Sequence, residues 1–396
     1  MPRSLVHESS PSLPAASNAI LAKGFRPFFF LAALHAVLSV PLWIASLALQ
    51  FGVGGDWSPL VWHAHEMLFG FTAAVIAGFL LTAAGNWTSR ETATGGKLLG
   101  LALLWCAGRV LAVLGHPWGA AADAAFFGMF ALVIAVPILA ARSRRNYLFP
   151  LMILALGAGD LWLHSAAQGS AALGMRFAPL RALDVVVVMI VLVTARIVPM
   201  FTRNALQLPR IRNRPALDRV ALVGVIGLAV LGAAQVEERF LAVLAAFCGL
   251  MLLLRMRTWG SLASLRQPLV WILHVGHTFL ALGLLLRGAA AYVPALPSSM
   301  WTHSLTAGAI GSLTLGMMSR VTLGHTGRML APPRIVAVGF GATAVGALLR
   351  ILAPLAGTHQ LGVLIAAATL WSLGFASFLF AQSPMLFAPR VDGRPG

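Results

Sequence analysis

Runs of about 20 predominantly apolar residues follow one another almost from end to end of this chain, and that is the length an α-helix needs to cross the hydrocarbon core of a bilayer. No water is available there to satisfy backbone N–H and C=O groups. A crossing segment is therefore either a helix or a strand of a closed barrel. Unbroken apolar runs, rather than strict alternation, select the helix. Twelve spans are expected, near 25–50, 62–84, 97–115, 121–141, 148–168, 179–201, 217–235, 239–257, 268–290, 300–319, 335–356 and 361–381. Gly, Pro and short polar clusters separate them. Pro41 inside the first predicts a kink or tilt. The fold class is all-α, a polytopic membrane protein. Residues 23–385 form one transmembrane domain, between a disordered tail over 1–22 and a second tail over 386–396. No polar stretch is long enough for a separate soluble domain: 59% of the residues are hydrophobic and only 10% charged. The amino-terminal stretch lacks the order of a signal peptide.

The formal charge of +17 suggests nucleic acid at first sight, but the cations sit at the ends of apolar runs, where basic residues of short loops set membrane orientation. Numbering the loops in turn, the set holding residues 3–26, 90–97, 142–145, 203–219, 255–266, 320–334 and 390–394 carries 21 of the 28 Lys and Arg residues. The opposite set carries five, Arg176, Arg181, Arg239, Arg287 and Arg350, while Arg109 and Arg196 lie inside spans. This asymmetry places both termini in the cytoplasm and excludes nucleic acid as the partner; the bilayer is the partner instead. The two cysteines, Cys106 and Cys248, form no CxxC or CxxCH motif, which disfavours covalent haem attachment and iron–sulfur clusters.

Against this apolar background, histidines and carboxylates are informative, because polar and ionisable groups inside a span are costly and face a partner or a cavity. His63, His65, Glu66, Asp184 and His303 fall near the outer surface. Asp160 and His164 fall in the outer half of the fifth span, and His277 near mid-membrane with His274 one turn nearer the cytoplasm. His63 and His65 are two residues apart, about 200° around a regular helix, so they do not easily share one metal: they can serve two centres on opposite sides, or one can ligate while the other hydrogen-bonds. Glu66 is three residues from His63 and on a regular helix shares its face, as a ligand or as the carboxylate that orients a ligand. His274 and His277 share one face and can hold one metal or a buried hydrogen bond. Asp160 and His164 can pair as a structural contact or a proton relay. His325 lies among Arg320 and Arg328 at the cytoplasmic side, where an anion such as a haem propionate is a natural partner. Plainer roles exist for each of these: interfacial capping for His63, His65 and His303, and an ordinary basic loop for His325. His7, His35, His116 and His359 are read as tail, packing or loop residues. A four-span pseudo-repeat is also suggested, from the matching order of features along the second, sixth and tenth spans.

Several strings together carry a family resemblance: Gly24-Phe25-Arg26-Pro27-Phe28-Phe29, Trp62-His63-Ala64-His65-Glu66-Met67-Leu68-Phe69-Gly70, Asn86-Trp87-Thr88, Pro199-Met200-Phe201-Thr202-Arg203-Asn204, and Gly316 through Arg328 with Gly324-His325-Thr326-Gly327 inside it. The chain resembles the NnrS family of bacterial inner-membrane proteins from about residue 20 to about residue 385. The resemblance implies twelve spans, a haem and copper, and a part in the response to nitric oxide and protection from nitrosative stress. Of the candidate ligands only His63, His65 and His325 lie within matching strings. His277 and His303 rest on their depth in the membrane.

The expectation from the sequence is thus a haem- and copper-containing membrane protein that meets nitric oxide. Its haem would be non-covalent and of b type, with metal ligands drawn from His63, His65, His277, His303 and Glu66, and His325, Arg320 and Arg328 contributing to the cofactor site. Whether it is an enzyme, and which protein it meets, the sequence leaves open. A haem–copper oxidase is disfavoured, because the chain has no adjacent His-His pair, no His-x-x-x-Tyr, and tyrosines only at 147 and 292, in loops. The rival class is a secondary transporter that uses intramembrane Asp and His without a prosthetic group.

Overall fold

The computed structural model describes residues 16–168 and 172–394. The readings of Arg3 and His7 fall outside the described residues. Among these, twelve long helices follow in order: α1 (Phe25–Leu49), α2 (Pro59–Thr88), α3 (Gly95–Val113), α4 (Gly119–Ala140), α5 (Leu148–Gln168), α6 (Ala172–Leu206), α7 (Pro215–Ala233), α8 (Glu238–Met256), α9 (Pro268–Ala290), α10 (298–325), α11 (Arg334–Leu352) and α12 (Gln360–Phe387). No strand occurs among the described residues. Eleven of the helices are long and apolar enough to cross a membrane. The exception, α10, is long enough, but Gly, Ser, Thr and His dilute its apolar residues. A helix less apolar than its neighbours has to be shielded from lipid, and α10 packs against α9, α11 and α12.

Several helices run past the expected limits. α2 starts at Pro59, where Ser58 caps it by accepting from Val61 N at 3.3 Å. α2 continues to Thr88 and α10 to His325, so Asn86, Trp87 and His325 are helical rather than in loops. α1 passes through Pro41 without interruption. Ala16–Leu21 forms a short 3-10 helix packed on α12, α3 and α1, so the expected disordered tail does not extend over this stretch. Its apolar Ile20 and Leu21 pack against the core.

The start of α1 and the end of α12 lie at the same end of the bundle. Arg26 is fully buried, and its Nη1 donates to the carbonyls of Leu386 and Ala388, both at 2.8 Å. These are orphan C-terminal acceptors of α12, a place where a cation is favoured twice, as donor and against the helix dipole. Arg26→Ala is expected to destabilise the protein by about 1.5–3 kcal/mol, the range for a hydrogen bond to a charged group. Thermal unfolding in detergent checks this, and limited proteolysis should then cut first near the carboxyl terminus.

α2 and α10 share a local distortion. Each turns π-helical, over Glu66–Thr72 and Ser304–Ile310, directly after a histidine, His65 and His303. In each, a carbonyl of the widened turn accepts an indole N–H from a neighbouring helix: Gly70 O from Trp105 at 3.1 Å, and Ala307 O from Trp371 at 3.1 Å. Wide turns of this kind gather at functional sites. α6 carries Pro179 and Pro199 but no such turn, so the device repeats in two of the three helices that the sequence paired.

Candidate functional site

α2 presents its two histidines to two different places. His65 is fully buried among side chains from α2, α3, α4 and α5. Its Nδ1 lies 2.8 Å from Glu66 Oε1. Its Nε2 is approached by Asp160 Oδ1 at 3.0 Å and Asp123 Oδ2 at 3.4 Å, yet neither approach is aligned for a hydrogen bond. His164 Nε2 lies 3.6 Å from Asp123 Oδ2 and 3.9 Å from Asp160 Oδ2. One donor atom from each of His65, Asp123, Asp160 and His164 fits within a mutual separation of 4.8 Å, and all four residues are buried. Trp57, from the loop before α2, covers the group, its ring 4.7 Å from that of His65 and 4.9 Å from that of His164.

The charges explain why these side chains stay together. Glu66, Asp123 and Asp160 supply three carboxylates, and Arg109 of α3 supplies one permanent cation, donating to Glu66 Oε1 at 3.1 Å and to Asp123 Oδ1. His35 of α1 reaches Glu66 Oε2 at 3.2 Å. Buried charge persists only when paired or coordinated. After Arg109 is counted, two negative charges remain for protons on the histidines or for a cation to balance. The convergent atoms that lack a hydrogen-bond partner are His65 Nε2, His164 Nε2, Asp123 Oδ2 and both oxygens of Asp160. Two imidazoles with carboxylate oxygens suit a borderline divalent ion rather than a soft monovalent one. Two glycines make room for this group: a Cβ on Gly108 would stand 2.2 Å from Asp123 Oδ1, and one on Gly70 would stand 2.9 Å from His35 Nε2 and 3.0 Å from Arg109 Nη1.

His63 points the other way, as the two-residue offset requires. Its ring stacks on Trp43, centroids 3.9 Å apart and planes at 17°. With His303 of α10 it lines an apolar cavity of about 170 Å3. His303 Nδ1 lies 2.8 Å from Ser299 O. A carbonyl only accepts, so Nδ1 carries the proton and Nε2 keeps its lone pair. Arg350 of α11 lines the same cavity and donates to Ser299 Oγ at 3.1 Å. Among the described residues Arg109, Arg181, Arg255 and Arg287 each have a carboxylate within 4 Å, and no such partner is found for Arg350.

The other expected positions lie elsewhere. His277 Nε2 accepts from Arg255 Nε at 3.4 Å and packs on Trp259. His274 lies 2.9 Å from both Thr202 Oγ1 and Ser261 Oγ, so hydroxyls engage both of its nitrogens. The two do not converge on a shared point. Glu66 does not orient His63 but meets His65, His35 and Arg109 instead. His325, Arg320 and Arg328 gather at the far end of α10. His325 packs on Phe25, Arg320 stacks over Phe201 with 3.8 Å to the ring centroid, and Arg390 donates to His325 O at 3.0 Å. Sequence reasoning passed over Asp123, read His35 as packing, and left Arg109, Trp57 and Arg350 without a role. For Asp123 and Arg109 the signal was available, as a charge inside an apolar span.

A comparison with curated proteins finds no match. The profile of one family, described as NnrS protein, matches residues 19–390, nearly the whole chain. With twelve long helices, and a buried His/Asp group able to hold a metal on one side of α2, the chain is a multi-pass membrane protein that belongs to the NnrS family.

Proposed function

We propose that this is a haem- and copper-containing protein of the bacterial inner membrane that acts in the response to nitric oxide and in protection from nitrosative stress. Membership of the NnrS family supports the nitric-oxide response in general. The observation that carries the haem is the cavity between α2 and α10, where two imidazoles from facing helices meet apolar walls. The donor atoms present suit the group, and the space of about 170 Å3 would have to widen between α2 and α10 to take a porphyrin. His303 offers a lone pair held in place by Ser299. Trp43 supports His63 by stacking. Arg350 offers an unpaired guanidinium for a propionate, the pairing for which its planar fork is suited. Arg320 and Arg328 belong to another place. At a rise of about 1.5 Å per residue, Arg320 lies about 25 Å along α10 from His303, so a haem on His303 would pair with Arg350. The absence of a CxxCH string supports a non-covalent, b-type haem. Copper fits the His65, Asp123, Asp160 and His164 group, whose nitrogen and oxygen donors suit the divalent ion. Ferrous haem binds nitric oxide, which is the chemistry that group would supply when bound.

The optical spectrum of the detergent-purified protein tests this reading. Soret and α bands are expected on reduction with dithionite, and they should shift when nitric oxide is added. A featureless spectrum from folded protein, made with iron and haem precursor supplied, overturns the haem and favours a transporter.

A further inference from the structure

Two loops are joined into one platform at the end of the bundle where α1 starts and α12 ends, the end that the charge asymmetry turns toward the cytoplasm. They are the α6–α7 loop, residues 207–214, and the α8–α9 connection, residues 257–267. Arg212 N donates to Thr258 O at 3.4 Å, and Thr258 Oγ1 donates to Arg212 O at 3.0 Å. Ile211 is buried against Gly260, where a Cβ would stand 3.1 Å from its Cδ1. The short turn Ser261–Ser264 is held by Ser261, whose hydroxyl lies 2.9 Å from His274 Nδ1. On this mounting Arg210, Arg212, Arg214, Arg257 and Arg266 are all exposed. Between Arg203 and Arg266 this end of the bundle carries one carboxylate, Asp218, and it lies 3.5 Å from the buried Arg255. Among the described residues none of the five exposed guanidiniums has a carboxylate within 4 Å. Leu262 and Leu265 stand between Arg257 and Arg266 along the chain, 85% and 63% exposed.

Cations that only set orientation need not be tied into one surface, nor carry exposed leucines among them. Arginine forks without a carboxylate partner are suited to bidentate recognition of phosphate. Leucines set among cations have the composition of a surface that lies at the boundary between headgroups and acyl chains, and basic pockets on the cytoplasmic side take anionic headgroups. We propose that this platform is a binding site for an anionic phospholipid of the cytoplasmic leaflet, its phosphate held by the arginines around Arg212 and Arg257 and its acyl chains beside Leu262 and Leu265. A free phosphate would satisfy the arginines and leave the two leucines uncovered, which is what favours the lipid. The site needs neither haem nor copper.

Native mass spectrometry of the full-length protein in detergent tests the site, with phosphatidylglycerol or phosphatidylcholine added at equal concentration. The expected result is that phosphatidylglycerol is retained several-fold more than phosphatidylcholine. Arg212→Gln with Arg257→Gln should lower that retention several-fold. Arg144→Gln with Arg145→Gln, which removes the same charge from another loop on the same side, should leave it near the unaltered level. Leu262→Ser with Leu265→Ser should weaken retention while every arginine stays in place. Unchanged melting temperatures confirm that the variants are folded, and Arg214→Gln with Arg266→Gln serves if the first pair is not. Equal retention of the two lipids overturns the proposal. So does an equal loss in both arginine pairs, which would make the effect one of net charge rather than of a site. Displacement of the lipid by millimolar inorganic phosphate, with no effect of the leucine changes, would also overturn it and leave a site for a free anion.

Discussion

Arg109→Met is expected to be the most damaging single substitution in the chain for stability. The side chain is buried and donates to both Glu66 and Asp123, and Asp160 completes the group of carboxylates around His65. Removing one partner of a buried ion pair leaves an uncompensated charge, at a cost of about 3–5 kcal/mol. The methionine roughly preserves volume, so the loss reports charge rather than a cavity. The measurement is the melting temperature of the detergent-purified protein together with its yield in membranes. The double variant Arg109→Met with Asp123→Asn removes one of the stranded charges and should recover part of the loss. A single variant as stable as the parent would show that these carboxylates do not depend on the guanidinium.

The second large effect separates the two sides of α2. His303→Ala should remove most of the bound haem, read as loss of the Soret band per protein, while metal content attributable to the His65 group stays near its unaltered level. His164→Ala should do the opposite, lowering that metal content several-fold while leaving the Soret band in place. The reason is geometric: His63 and His303 face one cavity, while His65 and His164 face a group enclosed by α3, α4 and α5. Elemental analysis and the optical spectrum, recorded on the same samples, check both. If the two variants lose the same cofactor, the assignment of separate sites is wrong. Equal loss of haem and metal in both, with lowered melting temperatures, would point to a folding defect, and His164→Gln then keeps the test alive through a milder change in the metal group.

Much of the fold was legible in the sequence because a membrane simplifies the problem. Bilayer thickness fixes span length, and unsatisfied backbone groups exclude everything but helices and barrels. The twelve runs and the turns between them follow from that alone. Helix ends were less legible. Asn86 and Trp87 continue α2 and His325 closes α10, because the last turns of these helices are polar enough to resemble loops yet are held by neighbouring helices. The candidate site was half legible. His63 and His65 stood out as histidines at an apolar helix start, and their two-residue spacing already sent them to opposite sides.

The partners of those histidines are a different matter. Glu66 seemed to belong to His63 by helical arithmetic, but its carboxylate meets Arg109 of α3, His35 of α1 and the neighbouring His65 instead. Asp123 comes from α4 and Asp160 with His164 from α5, far away along the chain, and only the packing of helices brings them within reach of α2. His274 and His277 looked like a pair by their spacing, but hydroxyls from Thr202 and Ser261 and the guanidinium of Arg255 claimed them separately. The sequence by itself determined the class of protein, where its long helices run and which residues were too polar to face lipid. It could do so because these depend on hydropathy and length, which are local properties. Only the tertiary structure decided which polar residues meet, because a buried charge is satisfied by whatever group lies within a few ångströms in space, and that is set by helix packing rather than by distance along the chain.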